Sequence, residues 1–403
     1  MIPTGRLDPP AAWRSPATRQ LLSALGAAGI GARLVGGCVR DALAGRDGAD
    51  IDLAIDRPPE EAMAVLKKAG IKVVPTGLRH GTIMAVIDRT PFEITTLRRD
   101  VETDGRHATV AFTDDWLADA GRRDFTFNAL YADPDGAIYD PFGGRADLAA
   151  GRVRFIGEAD RRIEEDRLRV LRFFRFHAWF GRGAPDVEGL SACRRHAATL
   201  GALSAERVVK ELLRLLAAAD PVPAVEAMRD AGVLVHWLPE LGATNRLAAL
   251  LSREDAVDGL RRLAALLRDR GVDAPTLGKR LKLSTQEALR LEILVAAEPA
   301  TDLAGGPRAW REGIYRLGAG FYADRLLLAV EAPGDWRAAL TLARSWTPPE
   351  FPVRGADALK LGLKPGPRVG ELVDAVERWW IAGDFTADRA ACLADLERRM
   401  RAP

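Results

Sequence analysis

Near residue 150 the spacing of the apolar residues changes period, so the two parts of the chain cannot share one regular architecture. Between about residues 32 and 142 the apolar residues come in short runs, ARLV, IDLAI, IKVVP, TIMAVID, FEITTL and GAIYD, separated by Gly, Asp and Pro and by two helical pieces. Such runs predict strands. Beyond DPFGGRADLAAG, the segments RRIEEDRLRVLRFFRFHAWF, SAERVVKELLRLLAAA, AVEAMRDAGVLVHWL and GLRRLAALLRDRG carry helical periods. The expected fold class is α+β, a small mixed sheet followed by an all-helical remainder. Ahead of the strands, TRQLLSALGAAG predicts a lead-in helix after Pro9, Pro10 and Pro16. The divisions expected are 1–30, 31–150, 151–220, 221–345 and 346–403, the later joints resting on Gly305-Gly306-Pro307 and the TPPEFP stretch.

A chain of 403 residues, 48% hydrophobic and 28% charged, can bury more than one core. Its formal net charge of +2 excludes a polycation, so any nucleic-acid surface must be a local cluster. Basic residues are overwhelmingly arginine, 50 Arg to 8 Lys, and arginine presents planar donors suited to phosphate and base edges. Cys38, Cys193 and Cys392 stand far apart with no CxxC, which supports neither a disulfide framework nor a thiolate zinc site and fits a reducing cytoplasm. Cys38 is read as a small buried thiol, since no histidine partner is fixed beside it. No signal pattern opens the sequence and no run reaches the ~18 apolar residues a membrane span needs. A cytoplasmic protein without membrane contact is expected.

The stretch LVGGCVRDALAGRDGADIDLAID, residues 34–56, concentrates the chemistry. Ala32 to Val35 can form a buried strand, Gly36 and Gly37 a tight turn with bare backbone, and Val39 to Leu43 the start of a helix whose first amides favour an anion. Asp50 and Asp52 flank Ile51, so in a strand both carboxylates face one way and can share a divalent-ion site. Hard oxygen ligands beside a phosphate cradle suggest Mg²⁺, a nucleoside triphosphate and nucleotidyl transfer by in-line displacement.

These residues and the motifs that follow them resemble the class II branch of the tRNA nucleotidyltransferase (CCA-adding enzyme) and bacterial poly(A) polymerase family. After the Gly36-to-Asp52 motif the resemblance continues, in order, at HGTI (80–83), FEITTLRRD (92–100), DGRHATV (104–110), RRDFTFNAL (122–130), DPFGG (140–144), EDRLRVLRFFRF (165–176) and LSAERVVKELLRLL (203–216), with GLKPGPRVGEL near 362 also similar. It implies a polymerase-β-like nucleotidyltransferase head at 31–150, a base-recognising neck at 151–220 and a helical body and tail that grip tRNA. Asp50 and Asp52 would be the catalytic metal ligands, with Glu93 a candidate third carboxylate on a neighbouring strand. Gly36, Gly37 and Arg40 would face the triphosphate, with Asp41 structural. Arg123 would approach phosphate, and Asp124 or Asn128 the ribose hydroxyls. The loop at 99–110, with Asp100, Gly105 and Arg106, would govern a switch from C to A.

In EDRLR, Asp166 and Arg169 at i and i+3 are expected on one helix face as a recognition plate, with Arg172 nearby. A carboxylate only accepts and a guanidinium only donates, so the pair matches cytosine or adenine, each with an amino group beside a ring acceptor. Guanine and uracil place a carbonyl and an N–H at those positions and are rejected. Residues 151–182 hold nine Arg against five acidic residues, interleaved with Phe173, Phe174, Phe176 and Trp179, whose spacing suits burial. Ser204 is the candidate N-cap of the following helix, with Glu206 in its first turn. The substrates implied are CTP, ATP and the tRNA 3′ end, with complete CCA addition preferred to A-adding, CC-adding or poly(A) activity. A non-catalytic RNA-binding protein of the same fold, or a transferase acting on a small molecule, is the alternative class. The oligomeric state is open.

Overall fold

A computed structural model describes residues 1–46, 51–103, 108–268, 270–296, 305–329 and 335–401, the side chains of 100–103 and 108–110 aside. It divides into two compact units, Met1–Leu241 and Gly242–Pro403.

In the first unit the strands are β1 (Gly5–Arg6), β2 (Ala32–Val35), β3 (Ile51–Ile55), β4 (Lys72–Gly77), β5 (Thr82–Ile87), β6 (Thr90–Thr96), β7 (Arg98–Thr103), β8 (Ala108–Phe112), β9 (Tyr131–Ala132) and β10 (Ala137–Tyr139). Eight form one mixed sheet in the order β1-β10-β9-β2-β3-β6-β5-β4, with β3 and β6 parallel and β2 antiparallel to β3. All six apolar runs of the sequence lie in this sheet. Alternation along β2 and β3 sends Leu34, Leu53 and Ile55 to one face, all essentially inaccessible to solvent. The buried faces of α1 (Pro16–Ala27; Leu21, Leu25) and α3 (Pro59–Lys68; Ala62, Leu66) complete that core. Val35 and Ala54 point the other way, into a second cluster with Leu97, Ala120, Ala129, Tyr131, Tyr139 and Ile156. Asp52, between Leu53 and Ile51, belongs to this second face.

One departure concerns the stretch 99–110, expected as a loop. Its flanks are β7 and β8, a separate antiparallel pair with an irregularity between Asp100 and Glu102, while residues 104–107 lie outside the described residues. Thr103, Thr109 and Val110 are β-branched residues, which favour extended backbone in these flanks.

The remaining helices of this unit are α2 (Gly37–Leu43), α4 (Trp116–Gly121), α5 (Gly144–Ala150), α6 (Ala159–Glu165), α7 (Arg169–Phe180), α8 (Val187–His196), α9 (Ala205–Leu216) and α10 (Val222–Asp230). Phe173, Phe174 and Phe176 of α7 are buried as their spacing predicts, and join Phe125, Phe127 and Phe155 in a ring cluster that locks α7 to the sheet domain. Trp179 stays half-buried at the helix end, its indole N–H donating to the Arg214 carbonyl at 2.7 Å. Ser204 occupies the N-cap position of α9, but its side chain makes no capping bond.

The second unit is helical throughout its described residues. One core gathers Val353, Ala358, Val376, Trp380, Ile381, Cys392 and Leu396. Elsewhere in this unit Arg261 bridges Glu254 and Asp324 at 3.0 and 2.9 Å, a buried network in which each charge has opposite partners. No helix among the described residues is long and apolar enough to cross a membrane.

Candidate active site

The turn at Gly36 begins the site because of its backbone: φ is +66°, a conformation that side chains rarely adopt. A Cβ there would stand 3.3 Å from Arg123 Nη1. At Gly37 a Cβ would lie 3.7 Å from Arg40 Nη2 and 4.0 Å from Asp52 Oδ2. The bare backbone therefore sits among guanidinium groups and beside the carboxylate of β3. Parallel pairing of β3 with β6 sets Asp52 opposite Glu93, so the two carboxylates share a face on adjacent strands. Asp50 lies outside the described residues. The Cys38 thiol is buried, donates to the Val35 and Asp52 carbonyls at 3.3 and 3.6 Å, and is pushed by burial up to about 11. It is a packed thiol, as its isolation suggested.

A hollow of about 400 Å³ opens beside the turn. It is lined by all nine residues the motifs single out for a nucleotide: Gly36, Gly37, Arg40, Arg123, Asp124, Asn128, Asp166, Arg169 and Arg172. Arg98, Arg122 and Phe176 complete it, and none of these three was assigned to the nucleotide from the sequence. The charged lining is six guanidinium groups against two carboxylates, a net excess of four positive charges suited to a polyanion.

Five of these six guanidinium groups are paired with carboxylates. Arg40 forms a two-pronged pair with Asp41, at 3.0 and 3.1 Å, and donates to Asn128 Oδ1 at 2.7 Å. Asn128 in turn donates through Nδ2 to Asp124 Oδ1 at 2.8 Å, and Arg172 Nε donates to Asp124 Oδ2 at 2.7 Å. Burial alone would raise the Asp124 carboxyl, but Arg172, the Asn128 amide and Arg169 bring it down to about 2, so it is ionised at neutral pH.

Arg122 and Arg123 converge on Asp119 of α4, whose side chain is only 1% exposed. Its Oδ1 accepts from Arg122 Nε and Nη2 at 2.9 and 2.8 Å and from the Arg98 backbone N–H at 3.2 Å. Its Oδ2 accepts from Arg123 Nη2 at 2.9 Å and the Tyr131 hydroxyl at 2.7 Å. Burial opposes ionisation, but the two arginines overcome it and hold this carboxyl well below the usual range. Sequence reading passed over Asp119; its signal is the i+3 and i+4 spacing to Arg122 and Arg123. Asp119→Ala is expected to cost about 3–5 kcal/mol in denaturant unfolding, because it strands two half-buried cations. A loss below about 1 kcal/mol would show that the arginines find other partners. Because the folded Asp119 and Asp124 carboxyls sit below their unfolded values, their stabilisation is in place above about pH 4 and disappears as pH falls toward 2.

The expected Asp166–Arg169 plate on one helix needs correction. The helical run predicted across 161–180 breaks after Glu165: Asp166 is extended, with φ −151° and ψ 104°, and α7 starts only at Arg169. Asp166 leaves the helix because its carboxylate accepts the Leu168 N–H at 3.1 Å, a local bond that competes with helical hydrogen bonding. It also accepts Arg207 Nη2 of α9 at 2.9 and 3.0 Å. Arg169 Nη1 donates to the Arg162 carbonyl and Glu165 Oε2, and Nη2 to the Arg122 carbonyl, at 2.9, 2.7 and 2.9 Å. With five N–H groups, that leaves Nε and one Nη2 hydrogen outside these bonds. Asp166 and Arg169 still line one cavity, but a link between two helices brings them there. Helix α9 braces them along one face: Arg207 holds Asp166, Glu211 accepts Arg175 Nε at 2.5 Å, and the Arg214 carbonyl holds Trp179.

The chain is similar to known proteins in sequence and in fold. Residues 32–154 match the poly A polymerase head domain, and residues 186–244 the probable RNA and SrmB-binding site of polymerase A. The mitochondrial CCA tRNA nucleotidyltransferase 1 of Danio rerio is 34% identical over 378 residues, 91% of this chain and 87% of the relative. The CCA-adding enzyme of Geobacillus stearothermophilus is 32% identical over 397 residues, covering 93% of this chain and 94% of its own. The crystal structure of the Bacillus stearothermophilus CCA-adding enzyme in complex with CTP superposes with a TM-score of 0.80 at 29% identity, covering 96% of this chain and 98% of that one. With relatives above 30% identity along nearly its whole length, the chain belongs to the class II CCA-adding enzyme and poly(A) polymerase family of nucleotidyltransferases.

Proposed function

We propose that the protein adds or repairs the 3′-terminal CCA of tRNA, using CTP and ATP without a nucleic-acid template. The observation that carries the reading is one cavity lined by six arginines, a bare glycine turn and the Asp166 and Arg169 side chains. The family relatives are named for the CCA-adding activity, and a solved relative holds CTP. Residues 31–150 serve as catalytic head, 151–220 as neck, and the helices beyond as body and tail that hold tRNA.

Asp52 fits a divalent cation by donor chemistry, a hard carboxylate beside the glycine turn with Glu93 in register as a third candidate, and Asp50 would supply the other carboxylate. Mg²⁺ held there would activate the attacking RNA 3′-hydroxyl and stabilise the pyrophosphate that leaves. Arg40 and Arg123 orient the triphosphate, each pre-set by a carboxylate so that no side chain has to be ordered during reaction. Asn128 and Asp124 meet the ribose hydroxyls. Asp166 accepts the amino group of cytosine or adenine, while Arg169 donates to the ring acceptor beside it.

The test is incubation with Mg²⁺ and tRNA transcripts ending before, after one and after two terminal C residues, with each labelled nucleotide alone and CTP with ATP together. Addition of C, C and A that then stops is expected. A run of A would instead mark a poly(A) polymerase, a single A on the CC end an A-adding specialist, and no incorporation a binding protein.

A further inference from the structure

A second basic hollow, about 680 Å³, lies at the other end of the short helix that starts at the glycine turn. Arg46, Arg145, Arg182, Trp179, Phe180 and Leu43 are among its lining residues. Helix α2 spans seven residues, about 10 Å of axis, so the hollow is roughly that far from the phosphate-facing turn. The Phe180 ring of this hollow meets an arginine of each: the Arg40 guanidinium of the first cavity lies 4.6 Å from its centre, and that of Arg46 lies 4.5 Å from it.

The charge pattern sets this hollow apart. In the nucleotide cavity Arg40, Arg122, Arg123, Arg169 and Arg172 each pair with a carboxylate. Here the charged lining among the described residues is three guanidinium groups and no carboxylate. Each is oriented by a backbone carbonyl instead: Arg46 by Trp179 at 2.6 Å, Arg145 by Thr4 at 3.3 Å and Arg182 by Ala149 at 3.2 Å. A carbonyl fixes a guanidinium without cancelling its charge, so the three cations retain their field for an external anion. Beside them stands the Trp179 indole, its orientation pinned through Nε1 to the Arg214 carbonyl. Arginines with a fixed aromatic plate match a phosphate joined to a flat base, the repeating unit of single-stranded RNA.

We propose that this hollow is an RNA subsite that holds a phosphate and a stacked base of the substrate strand upstream of the reacting 3′ end. The inference rests on the RNA-extending function proposed above. A hold on the strand outside the nucleotide cavity would keep the primer engaged while successive nucleotides enter and pyrophosphate leaves.

The test compares full-length protein with the Arg145→Ala/Arg182→Ala variant, both positions lying outside the nucleotide cavity. Equilibrium binding of a tRNA transcript lacking CCA is measured across a salt series, alongside KM for CTP and the melting temperature. The expected result is about a tenfold weaker Kd near 0.15 M salt and a salt slope shallower by about one to two, with the KM for CTP unchanged. The paired lysine variant, Arg145→Lys/Arg182→Lys, is expected to recover most of the affinity. If the alanine pair lowers the melting temperature, Arg182→Ala alone, at an exposed position, carries the test with about a threefold weaker Kd expected. Unchanged Kd and slope overturn the proposal, and so does an unchanged RNA Kd with a raised KM for CTP, which would mark a free-nucleotide site. Failure of the unsubstituted protein to bind or extend tRNA would defeat the function itself, an outcome distinct from failure of the variants.

Discussion

Asp52→Ala is expected to lower incorporation of both CTP and ATP by about 10³-fold or more, while the Kd for tRNA moves by less than about twofold. The expectation follows from position. Asp52 stands on β3 within about one side chain of the glycine turn, in register with Glu93, and its face of the sheet is the one that carries the site. On the proposed reading the substitution removes a hard ligand for the divalent cation, while the arginines assigned to RNA lie elsewhere and are untouched. Single-turnover incorporation and a filter-binding titration on the same preparation separate the two effects. Residual turnover within about tenfold of the parent would remove Asp52 from the chemistry.

The second large effect concerns base choice. Arg169→Ala is expected to reduce the preference for CTP over UTP, measured as a ratio of kcat/KM, by about 10- to 100-fold, since each buried mismatched group is worth about 1–3 kcal/mol. Arg169 also ties the Arg122 and Arg162 carbonyls to Glu165, so a fall in overall rate alone is uninformative. The ratio is informative, because a residue that only braces the cavity would slow both nucleotides equally. Asp166→Asn offers a complementary test: the amide can donate as well as accept, and a gain in UTP use is expected. An unchanged ratio in both variants would sink the protein-as-template reading.

How much of this could be read in advance differs from residue to residue. The strands were legible because side-chain alternation is a local property: IDLAI and FEITTL each carry it within a few residues, and they became adjacent parallel strands. The ring cluster was legible too, since the spacing of Phe173, Phe174 and Phe176 left few ways to avoid burial. Three site residues were not. Arg98, Arg122 and Asp119 belong to a network whose members gain meaning only when β7, α4 and the pocket wall meet.

Asp166 marks the boundary most sharply. Helical periodicity runs through RRIEEDRLRVL without a Gly or Pro, so an i, i+3 pair on one helix was the natural expectation. Its carboxylate instead bonds the Leu168 N–H locally and Arg207 at a sequence separation of 41. The sequence by itself determined the α+β order, the glycine turn, the place of Asp52 on its strand and the set of polar residues available to a nucleotide, because these follow from local geometry and ordered motifs. Only the tertiary structure decided which carboxylate holds which arginine among the described residues. With 50 arginines and 56 acidic residues the possible pairings are too many for spacing to resolve, and charge attraction selects among them only after packing has brought the groups within a few ångströms.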